Sequence, residues 1–241
     1  MTGVQTCALP ICFPVTIGSR EYTREVAQVS TVGFNLQPQL FDSFEYLFAW
    51  SKSDAQNASA AVTQDSSVAY EGNKSMLLDT GATTPAINDY VVATKSSALG
   101  PQRYLVFQGY FSINAADSRE TVMFGFYANR QGIVHQPTIK INNQTGNIQI
   151  ENSDSSFTTI NTIKSYYNSW NYIRITVDLT LKKYKPLIVN SQALDISSYS
   201  YYTDTDTEYG FSELNITLTS LAAFRSRLNV DNVVIFTTDT I

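Results

Sequence analysis

The sequence is poor in charge, cysteine and histidine. Only 15% of its 241 residues are Asp, Glu, Lys or Arg, well under the quarter or so of an ordinary soluble domain. Both cysteines, Cys7 and Cys12, lie near the start. No disulfide framework can therefore staple the body of the chain, and a Cys-x4-Cys pair without a nearby His is a poor metal site. His135 is the single histidine, which excludes a His-based metal centre and leaves that residue without an assigned role. No Gly-x-Ser-x-Gly elbow and no phosphate-binding glycine loop occurs. Sixteen basic residues against 21 acidic ones give a net charge of −5. With no basic stripe, nucleic acid is disfavoured as a partner. No apolar run reaches the roughly 18 residues of a membrane span. No stretch of helical period runs longer than about two turns, with Ser220–Arg225 as the candidate exception.

What is present is apolar, aromatic and neutral-polar. Apolar residues make up 43% of the chain, with 15 Tyr and 13 Phe, enough for a sizeable core. Such uncharged polar surfaces are common on secreted modules and virion proteins, so the expected setting is extracellular or the virion surface. Residues 170–190 are the most informative stretch. Tyr172, Arg174, Thr176 and Asp178 alternate with Ile173, Ile175, Val177 and Leu179, the pattern of a half-buried strand. Thr180–Lys183 reverses the chain, and Tyr184 to Val189 returns as a second strand interrupted by Pro186. Further strands are read at 75–79, 89–94, 104–113, 121–128, 157–163, 211–218 and 229–236. Residues 138–142 and 147–151 flank a turn containing Gly146 and predict a hairpin. Many short strands separated by polar turns predict an all-β, antiparallel two-sheet jelly-roll sandwich.

The N-terminus reads differently. Gly3 to Ile11, Gly-Val-Gln-Thr-Cys-Ala-Leu-Pro-Ile, resembles the translation of a sequencing-adapter read, a recurring contaminant of assembled metagenomic genes. Residues 1–13 are accordingly set apart from the fold as a non-native segment, and both cysteines with them. Residues 14–39 are read as an extended arm or linker, and 40–237 as the sandwich.

Four pieces in order carry a resemblance. They are Phe41-Asp42-Ser43-Phe44-Glu45 followed by Trp50; Tyr70 to Leu77; Trp170 to Asn190; and Val230-Asp231-Asn232-Val233-Val234-Ile235. Together the chain resembles the concanavalin A-like and laminin G-like jelly rolls, a group rich in carbohydrate-binding modules. It departs from their pattern where Ser191, not Gly, follows Asn190. The resemblance implies a structural Ca2+ held by Asp42, Glu45 and Asp231 between the first and last strands; no cofactor is otherwise required. It also raises the laminarinase-like Glu-x-Asp-x-Glu geometry for Asp204, Asp206 and Glu208. Here the first acid is Asp, and Thr replaces the usual interleaved apolar residues, so a solvated loop is the preferred reading.

An aromatic surface is the remaining candidate. Sugar rings stack on aromatic faces, and Tyr hydroxyls add hydrogen bonds. Tyr199, Tyr201 and Tyr202 are the better exposed candidates, with Tyr166 and Tyr167 beside them, whereas Trp170 and Tyr172 read as packing residues. The expected function is non-catalytic glycan binding or adhesion. One alternative is a virion or surface-assembly subunit that forms homo-oligomers through the arm by strand addition. The other is a glycoside hydrolase or polysaccharide lyase on the same fold, which the fold cannot decide.

Overall fold

The computed structural model describes residues 37–45, 49–81, 85–114, 120–163, 168–206 and 211–241. These residues form strands and turns without a helix. In chain order the strands are β1 (Gln37–Asp42), β2 (Ser51–Ala55), β3 (Ala61–Asp65), β4 (Ser75–Asp79), β5 (Tyr90–Ala98), β6 (Tyr104–Asn114), β7 (Glu120–Arg130), β8 (Ile133–Gln136) and β9 (Thr138–Asn142). They continue as β10 (Asn147–Glu151), β11 (Phe157–Thr162), β12 (Trp170–Asp178), β13 (Lys183–Tyr184), β14 (Leu187–Val189), β15 (Gln192–Leu194), β16 (Tyr202–Thr205), β17 (Phe211–Ser220) and β18 (Arg227–Thr238). The first sheet runs β15-β14-β12-β6-β18-β4-β3, with β1 beside β18 and β13 beside β12. The second runs β11-β10-β9-β7-β17-β5-β2, with β8 on β7 and β16 on β8. Every pairing is antiparallel. This is the expected jelly-roll sandwich.

Period-two alternation builds the core. Leu105, Phe107, Phe111 and Ile113 of β6 face Val122, Phe124, Phe126 and Ala128 of β7, and all are buried. Phe107 packs 5.5 Å from Phe124 and 5.6 Å from Phe126 between ring centroids, and Phe111 lies 5.6 Å from Phe124. Each such ring contributes about 1.5–3 kcal/mol on burial. The opening and closing segments pair as expected, Phe41 opposite Val234 and Asp42 opposite Val233. β1 starts at Gln37, inside the segment expected to be linker. Pro38 is tolerated there because β1 lies at a sheet margin and shifts register between Pro38 and Leu40. The rest of the expected arm, like residues 1–13, lies outside the described residues.

Turn chemistry follows the sequence closely. The 138–151 hairpin forms with Asn147 opposite Asn142, and Gly146 takes φ +76. A Cβ there would also press to 3.2 Å of Thr162 Cγ2. Pro186 splits the returning strand into β13 and β14, both on β12. Asn190 adopts φ +53, a conformation that Asn tolerates, and its Oδ1 accepts the Tyr172 N–H at 2.9 Å.

A polar plug closes one end of the interior. Tyr184, buried on the first sheet, accepts the Thr138 N–H of the second sheet at 3.0 Å and donates toward the Thr138 and Glu151 carbonyls. Tyr201 donates its hydroxyl proton to the Asp178 carbonyl at 3.0 Å. Its oxygen therefore accepts from His135 Nδ1, 3.0 Å away, which fixes the proton on that nitrogen. Burial, then Lys182 and Arg130, push the His135 pKa down to about 4. A depressed imidazole binds fewer protons folded than unfolded. Its contribution to stability is complete above the unfolded value near 6.5 and is lost as pH falls toward 4. The stability difference between wild type and His135→Gln should shrink across that window in urea titrations at stepped pH.

Candidate functional site

Of the predicted ligand tyrosines, the three described, Tyr199, Tyr201 and Tyr202, do not form one exposed surface. Tyr201 is only 1% exposed and belongs to the plug just described. This corrects its reading as a surface residue: two hydrogen bonds satisfy the phenol, so the ring can sit in the core. Tyr199 packs against the core from its margin. Tyr202 is half-buried on β16, opposite Gln136. Tyr166 and Tyr167 lie outside the described residues.

The three predicted metal ligands separate into one and two. Asp42 accepts the Phe44 N–H and the Trp50 indole N–H, each at 2.8 Å. Burial raises its pKa against these bonds. Asp231 and Glu45 instead share the 70–74 turn. Asp231 Oδ2 accepts the Tyr70 and Glu71 N–H groups at 2.8 and 3.2 Å, and Glu45 Oε1 those of Asn73 and Lys74 at 2.7 and 2.9 Å. A register shift in β18 between Asp231 and Val234, with Asn232 at φ +49, turns Asp231 toward this loop. A Cβ on Gly72 would fall 2.3 Å from Glu45 Oε1, so the loop wraps the carboxylate as closely as glycine allows. Asp231 is fully buried; burial, with Glu45 adding to it, pushes its pKa up to about 6. No described Lys or Arg ion-pairs with either carboxylate. The backbone groups that ring these two carboxylates are N–H donors, which satisfy their negative charge in place of a cationic side chain. Among the described residues, no three His, Cys, Asp or Glu gather closely enough to hold a metal.

Of the acidic stripe, Asp204 is exposed on β16 and Asp206 accepts the Tyr127 hydroxyl at 2.9 Å. Glu208 lies outside the described residues. The stripe thus touches the outer face of the second sheet, and that face gives the stronger site. Its middle row runs from Phe157 on β11 through Glu151, Thr138, Gly125, Asn215 and Thr94. Six strands at about 4.8 Å spacing make it roughly 24 Å long. Tyr127 stacks on Phe211 on one side of the row, centroids 5.5 Å apart. Asn215 donates to Glu213 at 3.0 Å and accepts from Thr94 at 2.6 Å.

Gly125 decides the shape of this face. A Cβ there would meet nothing closer than 3.7 Å, so crowding does not require glycine. Glycine inside a central strand weakens it, and it often marks a place where a ligand approaches the backbone. Here it leaves a notch between Asn215 and Thr138, with Tyr127 and Met123 along the strand to either side. The signal lay in Met123-Phe124-Gly125-Phe126-Tyr127, where core Phe residues alternate with an outward gap and an outward Tyr.

A second set of aromatics lies on the outer face of the first sheet. Tyr70 stacks on Tyr110 at 3.7 Å, Trp170 meets Tyr70 edge-on at 5.9 Å, and Tyr110 lies 5.2 Å from Tyr172. Trp170 is half-buried on this outer face, which corrects its reading as a core residue: it sits in the outward register of β12.

No family model matches the chain, and no curated protein matches it in sequence. Solved structures share the fold. An endo-β-1,4-glucuronan lyase from the fungus Trichoderma reesei is similar at a TM-score of 0.57 and 12% identity, covering 84% of this chain and 96% of its own. The cellulose-induced protein Cip1 is similar at 0.56 and 14% identity, covering 84% and 98%. A carbohydrate esterase of the Shiga toxin-encoding bacteriophage phi24B is similar at 0.50 and 15% identity, covering 78% and 89%. At such identities the likeness is one of fold.

Tyr201→Phe removes a hydroxyl bonded on both sides. It should cost about 1–3 kcal/mol in urea unfolding while leaving any ligand affinity unchanged.

Proposed function

We propose that this chain is a non-catalytic glycan-binding module, working outside the cell or on a virion surface. Its sugar chain lies across the outer face of the second sheet. The observation that carries this reading is Gly125, a notch that packing does not demand, set between the neutral polar side chains of Asn215 and Thr138 beside the Tyr127–Phe211 stack. Glycan sites need flat aromatic faces for ring C–H groups and fixed polar groups for hydroxyls, and this row offers both. Its length suits an extended chain of several sugars. The similar folds belong to proteins whose names refer to glucuronan, cellulose and carbohydrate esters, which agrees with the reading.

A second reading, catalysis on the same face, draws on Tyr127 and Asp206. A tyrosine hydroxyl bonded to a carboxylate is a proton-transfer pair in form, and a reducing-end assay on any polysaccharide that binds tests it. Turnover abolished by Tyr127→Phe would replace the module reading.

The binding test uses substitutions that separate binding from folding. Gly125→Ala should stabilise the strand by about 0.5–1 kcal/mol yet weaken glycan retention in affinity electrophoresis. Tyr127→Ala should weaken retention about fivefold to tenfold, the loss of one stacked ring. Retention unchanged in both variants would refute the site.

Glu45 and Asp231 are proposed to hold a structural Ca2+, which would tie the 70–74 turn to β18 and take no part in chemistry. Added CaCl2 should raise the Tm of wild type but not of Asp231→Asn. An equal response of the two proteins, or none, would remove the metal.

A further inference from the structure

The outer face of the first sheet carries a cation, Arg174, that the fold does not use. Arg174 stands in the outward register of β12, between Gln108 of β6 and Ile188 of β14. It is half-buried and has no hydrogen-bond, ion-pair or ring partner among the described residues. Farther along β12, Arg103 donates to Asp178 at 2.6 and 2.9 Å, and Lys185 Nζ lies 3.9 Å from the same carboxylate. Both cations also flank the Tyr104 ring, at 5.0 and 5.8 Å. Arg103 and Lys185 thus share the buried Asp178 carboxylate, and the Arg103 backbone N–H also bonds Asp239 at 3.1 Å, so Arg174 is the cation of this strip left unpaired among the described residues.

The other end of the strip is aromatic. Tyr70, 43% exposed, is locked through its backbone N–H to Asp231 and through its ring to Tyr110. Trp170 braces it. The Tyr172 hydroxyl reaches Gln108 at 3.3 Å, which brings the aromatic end up to Arg174. The acids at this end, Glu45 and Asp231, bond to backbone N–H groups and are not presented along the strip.

We propose that this strip, Trp170 to Asp178 with its neighbours on β6, is a second carbohydrate surface for an acidic polysaccharide. Arg174 takes a carboxylate or sulfate as a forked partner, and Tyr70 and Trp170 take a sugar ring. A net charge of −5 and a single unpaired cation on the strip argue against nucleic acid, which needs a basic patch. They fit a sugar polymer that sets an acidic group at Arg174 while a ring lies on Tyr70. The inference stands apart from the neutral-glycan row on the other sheet.

The test is affinity electrophoresis of the full chain in gels containing polygalacturonate, dextran sulfate, a neutral β-glucan or single-stranded DNA. Wild type should be retained by at least one of the two anionic polysaccharides. The one that retains it identifies the anion, and retention by both assigns the shared charge. Arg174→Gln should weaken that retention at least tenfold at unchanged Tm, with retention of the neutral glucan unaltered. Raising salt to about 1 M, where the screening length is ~3 Å, should have the same effect. Tyr70→Ala should weaken it further, and Tyr127→Ala should leave it intact. No retention by either acidic polymer, full retention by Arg174→Gln, or equal retention by DNA would overturn the proposal. Failure on the neutral glucan alone would refute only the row on the second sheet.

Discussion

The interdigitation of Phe107 and Phe111 with Phe124 and Phe126 is the constraint on which the rest of the molecule depends. These rings fix which side of β6 and β7 faces inward. A slip of one residue would turn every inward side chain out. With the register set, Tyr110 and Gln108 must point outward on one sheet, and Gly125 and Tyr127 on the other. Both candidate surfaces are therefore consequences of core packing, and neither depends on a flexible loop for its central residues.

The alternating strands were legible because burial writes a period of two into them. Residues 170–179, 104–113 and 211–218 all fold as read, and the 138–151 hairpin forms about its glycine. Pairing between the opening and closing segments was legible through motif order. Tyr201 was misread because polar neighbours make it look exposed. Nothing local shows that a histidine from β8 and a carbonyl from the end of β12 will satisfy its hydroxyl. Trp170 was misread in the opposite sense, since a large indole at a strand start resembles a core residue until the register is known. Motif matching grouped Asp42 with Glu45 and Asp231, but the structure gives Asp42 different hydrogen-bond partners from the other two. The Trp50 indole, which engages Asp42, is eight residues away in sequence, and its approach is a matter of tertiary structure.

Asp231 shows how an irregularity becomes useful. Regular pairing would have left β18 straight. Its bulge instead swings a carboxylate onto the backbone of the 70–74 turn, and that turn carries Tyr70. The position of an exposed ring on the first sheet is thus set by a defect in a neighbouring strand, 161 residues farther along the chain.

The sheet margins have a consequence of their own. β1 breaks register at Pro38, β2 between Lys52 and Asp54, and the β10–β11 pair between Ile148 and Gln149. A smooth margin would offer a continuous row of amide and carbonyl groups to any passing chain. These kinks, with Lys52 exposed on β2, spoil that template. Where these kinks fall, a neighbouring copy would find no regular ladder to extend.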